Sequence, residues 1–287
     1  MTRADLGLTI IAIIAAGASV NFFILGTAGA VPFLEYRNYV LIPSFFVILF
    51  IAVYAYKRNR RLANRLARGL LIGLVATLAL EAVRIPSISA HWIPHDDMIA
   101  FPGMLLTKTP TATEFKSMMG GHSDSMTPSA KPDKMESSEK VNEHGNDSMH
   151  DHMTDSTGSS TNNQPHTDSM MHDSMMQDSM QPSATVLVVG GLYHFWNGAT
   201  MGAVYTLVMG KGRWWYGLIW GFIIHIGMML APWMLPMVGP FGINYGTGYT
   251  IFTASLFAHL AYGFVIGILA QRFVQEKNSL ISLYRAK

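Results

Sequence analysis

The stretch TDSMMHDSMMQDSM at 167–180 returns Asp-Ser-Met every five residues and interleaves thioether, imidazole and carboxylate side chains. Thioether sulfur selects Cu(I), whereas imidazole and carboxylate suit Cu(II), so one tape carries ligands for both oxidation states. The same chemistry extends over 117–183. That window holds eleven of the 20 Met (118, 119, 126, 135, 149, 153, 170, 171, 175, 176, 180) and six of the 11 His (122, 144, 150, 152, 166, 172). Its strongest candidate metal ligands are His122, His150, His152, His172, Met170, Met171, Met175, Met176 and Met180. Apart from Val141 and the methionines it offers little to bury, which predicts disorder in the free loop. An inert solvated linker would explain the disorder but not the methionine, which lowers solubility and oxidises readily.

The pieces DSMHDHM at 147–153 and TDSMMHDSMM at 167–176 resemble the Met/His-rich repeats of periplasmic copper-resistance proteins. More loosely, they are similar to the Met-rich ectodomains of copper uptake transporters. The resemblance covers under a quarter of the chain and is one of composition. It implies copper or silver handling outside the cytoplasm, and no particular fold.

A second cluster stands in SISAHWIPHDDM, where His91 and His95 are four apart and Asp96, Asp97 and Met98 follow. On a continuous helix an i, i+4 His pair would meet one ion, although Pro94 interrupts helical geometry there. His91, His95, Asp96 and Met98 are candidate ligands by type, against a wet interfacial belt anchored by Trp92.

Three further histidines lie inside apolar runs. His194 and His259 each begin H-x-x-x-G-x-x-x-G, with Gly198 and Gly202 in one run and Gly263 and Gly267 in the other, which suggests a parallel internal repeat. Residues at i, i+4 and i+8 share one helix stripe, so each imidazole stands above a glycine groove that lets another helix approach. Counting about 1.5 Å per residue from the run ends brings His194, His225 and His259 to one level near the membrane midplane. Ionisable groups at that depth usually face the bundle interior and mark a function. Three readings stay open: a three-His copper site, a haem with two axial histidines, or separate interhelical hydrogen bonds. Asn197, Met201, Met228 and Met229 are nearby in sequence, Trp196 and Tyr262 could support the ligands, and Glu81 and Arg84, three apart, could pair.

These residues need a scaffold, and the composition names it. With 50% hydrophobic and 13% charged residues, the chain carries about half the charge usual for a soluble domain. Apolar runs near 6–26, 38–56, 66–86, 185–208, 214–236 and 250–271 are each long enough to cross roughly 30 Å of hydrocarbon. The expected fold is all-α, a polytopic membrane bundle of about six transmembrane helices with a long external loop. Helices one to three occupy 1–86, the Met/His-rich loop 87–184, and helices four to six 185–287.

Segment 86–185 holds fourteen of the 18 acids but only five of the 20 Lys and Arg, leaving four acids and fifteen bases elsewhere. Residues 56–68, the GKGRW stretch and the C-terminal tail are basic, so the positive-inside rule places them and both termini in the cytoplasm. The acidic loop then lies outside a multi-pass cell-membrane protein. The first run, nearer 20 residues than the 7–15 of a signal core, is expected to be retained although Ala28-Gly29-Ala30 resembles a cleavage site.

The absence of Cys excludes disulfides and thiolate metal sites. No P-loop, H-E-x-x-H or G-x-S-x-G occurs, so no catalytic residue is assigned and ATP-driven or hydrolytic chemistry has no support. The expected partners are copper ions and the lipid bilayer, together with further copies of the chain or a membrane metalloenzyme. The basic residues read as topology determinants, not nucleic-acid contacts. A copper or haem oxidoreductase is the alternative to copper transport and homeostasis.

Overall fold

In a computed structural model, the residues described are 3–27, 31–93, 97–107, 183–230 and 249–274. The chain divides into two units, residues 1–122 with 182–287, and residues 123–181. Every described residue belongs to the first unit.

All described elements are helical, and no strand occurs among the described residues. Helix α1 spans Arg3–Thr27. A single turn α2, Phe33–Tyr36, runs through one π turn, Arg37–Leu41, into α3, Ile42–Arg58. There follow α4 (Arg60–Ser89), α5 (Asp97–Thr107), α6 (Ala184–Met209), α7 (Trp214–Met229) and α8 (Thr250–Phe273).

Local chemistry sets the boundaries. The Asn59 side chain accepts the Leu62 amide at 3.1 Å and so starts α4, an N-cap that satisfies an otherwise orphaned donor. At its other end the His91 amide donates to Ile88 O and the Trp92 amide to Ser87 O, with His91 at φ 58°. That is a Schellman closure in which histidine takes the left-handed position usually given to glycine. Ser183 caps α6 by accepting the Val186 amide.

Among the described residues, four helical segments are long and apolar enough to cross a membrane: Asp5–Phe22 within α1, Phe33–Arg58, Arg60–Ser89 and Thr250–Phe273. The sequence led us to expect six. Helix α6 has 26 residues, ample length, but His194, Trp196 and Asn197 interrupt its apolar character. Helix α7 is apolar but has 16 residues, closing at its C-cap Leu230, and residues 231–236 of the span expected at 214–236 lie outside the described residues. Outward faces are strongly apolar, as at Ile14, Phe50 and Leu192, which are 68%, 67% and 67% exposed, a pattern that suits lipid rather than water.

Helix ends alternate between two poles of the bundle. At one pole Asn59 Nδ2 donates to Asp5 Oδ1 at 2.6 Å, Arg68 Nη1 to Phe273 O at 2.7 Å, and the Trp214 amide to Gln271 Oε1 at 2.8 Å. Arg65, counted in sequence as one charge of a basic connection, is buried there and donates to the carbonyls of Thr206 and Leu207 at the end of α6. Thr206 O also accepts the Gly210 amide at 3.0 Å, so Arg65 completes the capping of this helix end, where a cation suits the dipole. At the opposite pole Thr250 Oγ1 donates to Trp92 O at 3.1 Å, and Arg37 Nη1 to Leu106 O at 2.6 Å.

Helices α4, α6, α7 and α8 form the centre, with α4 against both α6 and α8, and α7 against α8. Helices α1 and α5 pack on α6, and α3 on α4 and α1. Helix α5 falls inside the segment expected to be a loop. Its Ala100 and Leu105 are buried, and Gly103 meets the α6 backbone at Val186 and Gly190.

Candidate functional site

The site is positioned by two glycine seams. Gly69 and Gly73 of α4 face Gly198 and Gly202 of α6 so closely that a Cβ on any of the four would overlap atoms of the facing helix. Gly217 and Gly221 of α7 meet Gly263 and Gly267 of α8 in the same way. Small residues four apart permit this approach, and the van der Waals contact they give is what holds helices together in lipid.

The two seams share a register. Gly73 stands over Gly198, Ala199 and Gly202 as Gly217 stands over Gly263 and Gly267, and Thr77 meets Gly198 as Gly221 meets Gly263. Eight residues beyond Gly73 is Glu81, and eight beyond Gly217 is His225. Each reaches the histidine that opens the partner's glycine motif: Glu81 meets His194, and His225 lies beside His259. The repeat visible in α6 and α8 therefore extends to the helices packed on them.

The first polar pair is heavily engaged. Glu81 and Arg84 are buried, with Arg84 Nε 3.0 Å from both carboxylate oxygens and Nη2 2.5 Å from Oε2. His194 Nε2 sits 2.8 Å from Glu81 Oε1, an ion-pair distance without in-line hydrogen-bond geometry. The Glu81–Arg84 pairing is as expected from their spacing, and the engagement of His194 by Glu81 was not foreseen.

The second pair is organised by Ser255, which sequence inspection missed. His225, fully buried, places Nδ1 3.0 Å from Ser255 Oγ. His259 places Nδ1 2.8 Å from Ser255 O and 3.3 Å from Ser255 Oγ. A carbonyl only accepts, so Nδ1 of His259 carries the proton, which in the neutral ring leaves the Nε2 lone pair free to act as a ligand. Backing of an imidazole by a carbonyl is the arrangement that orients metal-ligating histidines. The rings of His225 and His259 are 5.9 Å apart between centroids, and Phe252 packs edge-on to His225 at 4.7 Å. His225 Nε2 is buried and has no hydrogen-bond partner among the described residues. Such an atom costs about 1–3 kcal/mol, which native structures tolerate chiefly where a ligand, ion or water is to be met.

His194 is thus held by Glu81, and His225 and His259 are brought together at Ser255. Among the described residues, however, no group of three or more His, Asp or Glu is arranged to hold a metal.

No family model, curated protein or solved structure matches the chain. Its chemistry is therefore read from its own residues.

The remaining candidates fall as follows. Helix α4 ends at Ser89 and His91 turns away in the left-handed conformation, so His91 does not continue a helix toward His95. His95 and Asp96 lie outside the described residues, and Met98 lies in the first turn of α5. All ligand candidates between 117 and 180, from His122 to Met180, lie outside the described residues. Asn197 Oδ1 accepts from Ser19 Oγ at 3.0 Å, tying α6 to α1. Tyr262 donates to Gly198 O at 2.6 Å, and Trp196 packs on Phe45. Met201 is part of the apolar packing around Tyr205 and Tyr262.

Proposed function

We propose that this is a six-span membrane protein that collects copper on residues 117–183 outside the cell membrane and holds it again between imidazoles inside the bundle. In this proposal α6 and α7 complete the six spans, and the pole carrying Arg65, Arg68 and Arg272 is cytoplasmic. The observation that carries the reading is the concentration of thioether and imidazole in one acidic segment, eleven Met and six His between 117 and 183. Each thioether binds weakly, and their number raises the effective concentration of ion near the membrane.

Support for the inner half comes from His225, with its unpartnered Nε2, and from His259, oriented by the Ser255 carbonyl. Two neutral imidazoles suit a copper ion, and Glu81 is withheld from it by Arg84. His194 is a further ligand only if it leaves Glu81. Transport and delivery to a membrane metalloenzyme both begin with this capture. A haem on the same histidines is less well supported, because the glycine grooves that would admit the ring are filled by facing helices.

Elemental analysis of the purified chain with and without 117–183 tests the proposal. Several copper ions per chain should fall to about one on deletion, and that last ion should vanish in His225→Ala/His259→Ala. Equal copper content in all three proteins would overturn it.

A further inference from the structure

Asn21 stands in α1 with no Asp, Glu, Lys or Arg between Asp5 and Glu35. The hydroxyl side chains described on α1, Thr9 and Ser19, are buried and bonded. Thr9 Oγ1 donates to Asp5 O at 2.8 Å, and Ser19 Oγ reaches Ala16 O, Asn197 Oδ1 and Thr200 Oγ1. Asn21 instead faces outward, exposed, and makes no hydrogen bond to another described residue. Lipid tails can neither donate to nor accept from an amide, so a polar group held there calls for a protein partner.

The surface around it is shaped for a helix. Gly7, Ile10, Ile14, Gly17 and Asn21 recur at intervals of three and four residues, a heptad stripe along α1. Ile10 and Ile14 are exposed knobs. A Cβ at Gly7 would meet nothing within 4 Å, and one at Gly17 only Asn21 Nδ2 at 3.9 Å, so backbone is accessible on both sides of the knobs. The buried glycines of α4, α6, α7 and α8 are covered by partners, and these two are not.

We propose that this stripe is the contact face of a parallel homodimer in which Asn21 pairs with Asn21 of a second copy. The bilayer supplies the reason for a second copy. Every copy inserts with the same orientation, so residue 21 of one chain meets residue 21 of another at the same depth. A carboxamide carries both donor and acceptor and closes two reciprocal hydrogen bonds about a two-fold axis. A single Asn in a heptad stripe also fixes register. The proposal depends on α1 crossing the membrane and is independent of copper.

The chain contains no Cys, so single-cysteine cross-linking in native membranes reads the interface without a background. Ile14→Cys and Gly17→Cys should cross-link to dimers, while Phe50→Cys and Leu192→Cys, on other lipid-facing surfaces, should not. In detergent the wild-type mass should be twice 31.6 kDa, and Asn21→Leu should weaken association roughly tenfold while Asn21→Gln retains it. Because residue 21 faces outward, thermal unfolding of Asn21→Leu should match the wild type, separating lost association from lost folding. A monomeric wild-type chain, cross-linking that is equal on all faces, or a dimer indifferent to Asn21→Leu would each overturn the proposal. Capture of a different membrane protein by the α1 cysteines in place of a second copy would do so too.

Discussion

At His225 and His259 the decisive contact is Ser255, whose hydroxyl and carbonyl fix both Nδ1 atoms. Removing the hydroxyl leaves the carbonyl contact to His259 and frees His225. In the chain lacking 117–183, Ser255→Ala should weaken Cu(I) binding by roughly 10- to 100-fold, the usual cost of losing an outer-sphere partner, and should cost about 1–3 kcal/mol of stability for the His225 Nδ1 left buried without its hydroxyl. A copper titration that is superimposable on the parent would show that Ser255 positions nothing. Arg84 poses a different problem, since its loss leaves the Glu81 carboxylate buried beside His194 alone. Arg84→Met should cost roughly 3–5 kcal/mol, and Glu81→Gln/Arg84→Met should recover much of it, because an unpaired buried charge is worse than none. Detergent melts of the two variants check this, and equal midpoints would contradict it. His194, His225, His259 and the Glu81–Arg84 pair were legible as residues, from their place in apolar runs and their spacing. Their partners were not. Which group meets His194 depends on how two helices slide past each other, and neither helix encodes that register alone.

The glycine seams show how register is set. Half of each seam was visible in sequence as H-x-x-x-G-x-x-x-G, and the complementary Gly69/Gly73 and Gly217/Gly221 pairs carry the same four-residue spacing in plain view. Overpacking a close helix contact costs typically about 1–3 kcal/mol and sometimes more. Gly73→Leu and Gly217→Leu should therefore lower the melting midpoint and displace the polar pairs above them. Gly191→Leu and Gly227→Leu, where an added Cβ meets nothing within 4 Å, are the controls and should melt like the parent. Helix α5 was not legible, because eleven residues containing Pro102 lie beside an acidic low-complexity tract and give no long apolar run. The end of α4 was half legible. Pro94 warned of a break, but the chain leaves the helix earlier, at a left-handed His91, a conformation uncommon for any residue but glycine.

On the scale of the molecule, alternation of helix ends gathers Arg58, Arg60, Arg65, Arg68, Arg213 and Arg272 toward one pole, as expected of an up-and-down chain whose basic connections share a side. Long uncharged runs announced the helical architecture because lipid and protein interior impose the same apolar composition. Among the described residues four segments meet the length and hydropathy of a span unaided, while α6 trades hydropathy for the polar groups it carries inward. The central claim is that soft ligands hold copper outside the bilayer and imidazoles hold it within. X-ray absorption at the copper edge of the loaded protein addresses both halves at once. The full chain should show sulfur and nitrogen neighbours, and the chain lacking 117–183 nitrogen neighbours alone, which are lost in His225→Ala/His259→Ala. Copper surrounded only by oxygen in the full chain, or no copper retained after the deletion, would contradict the account.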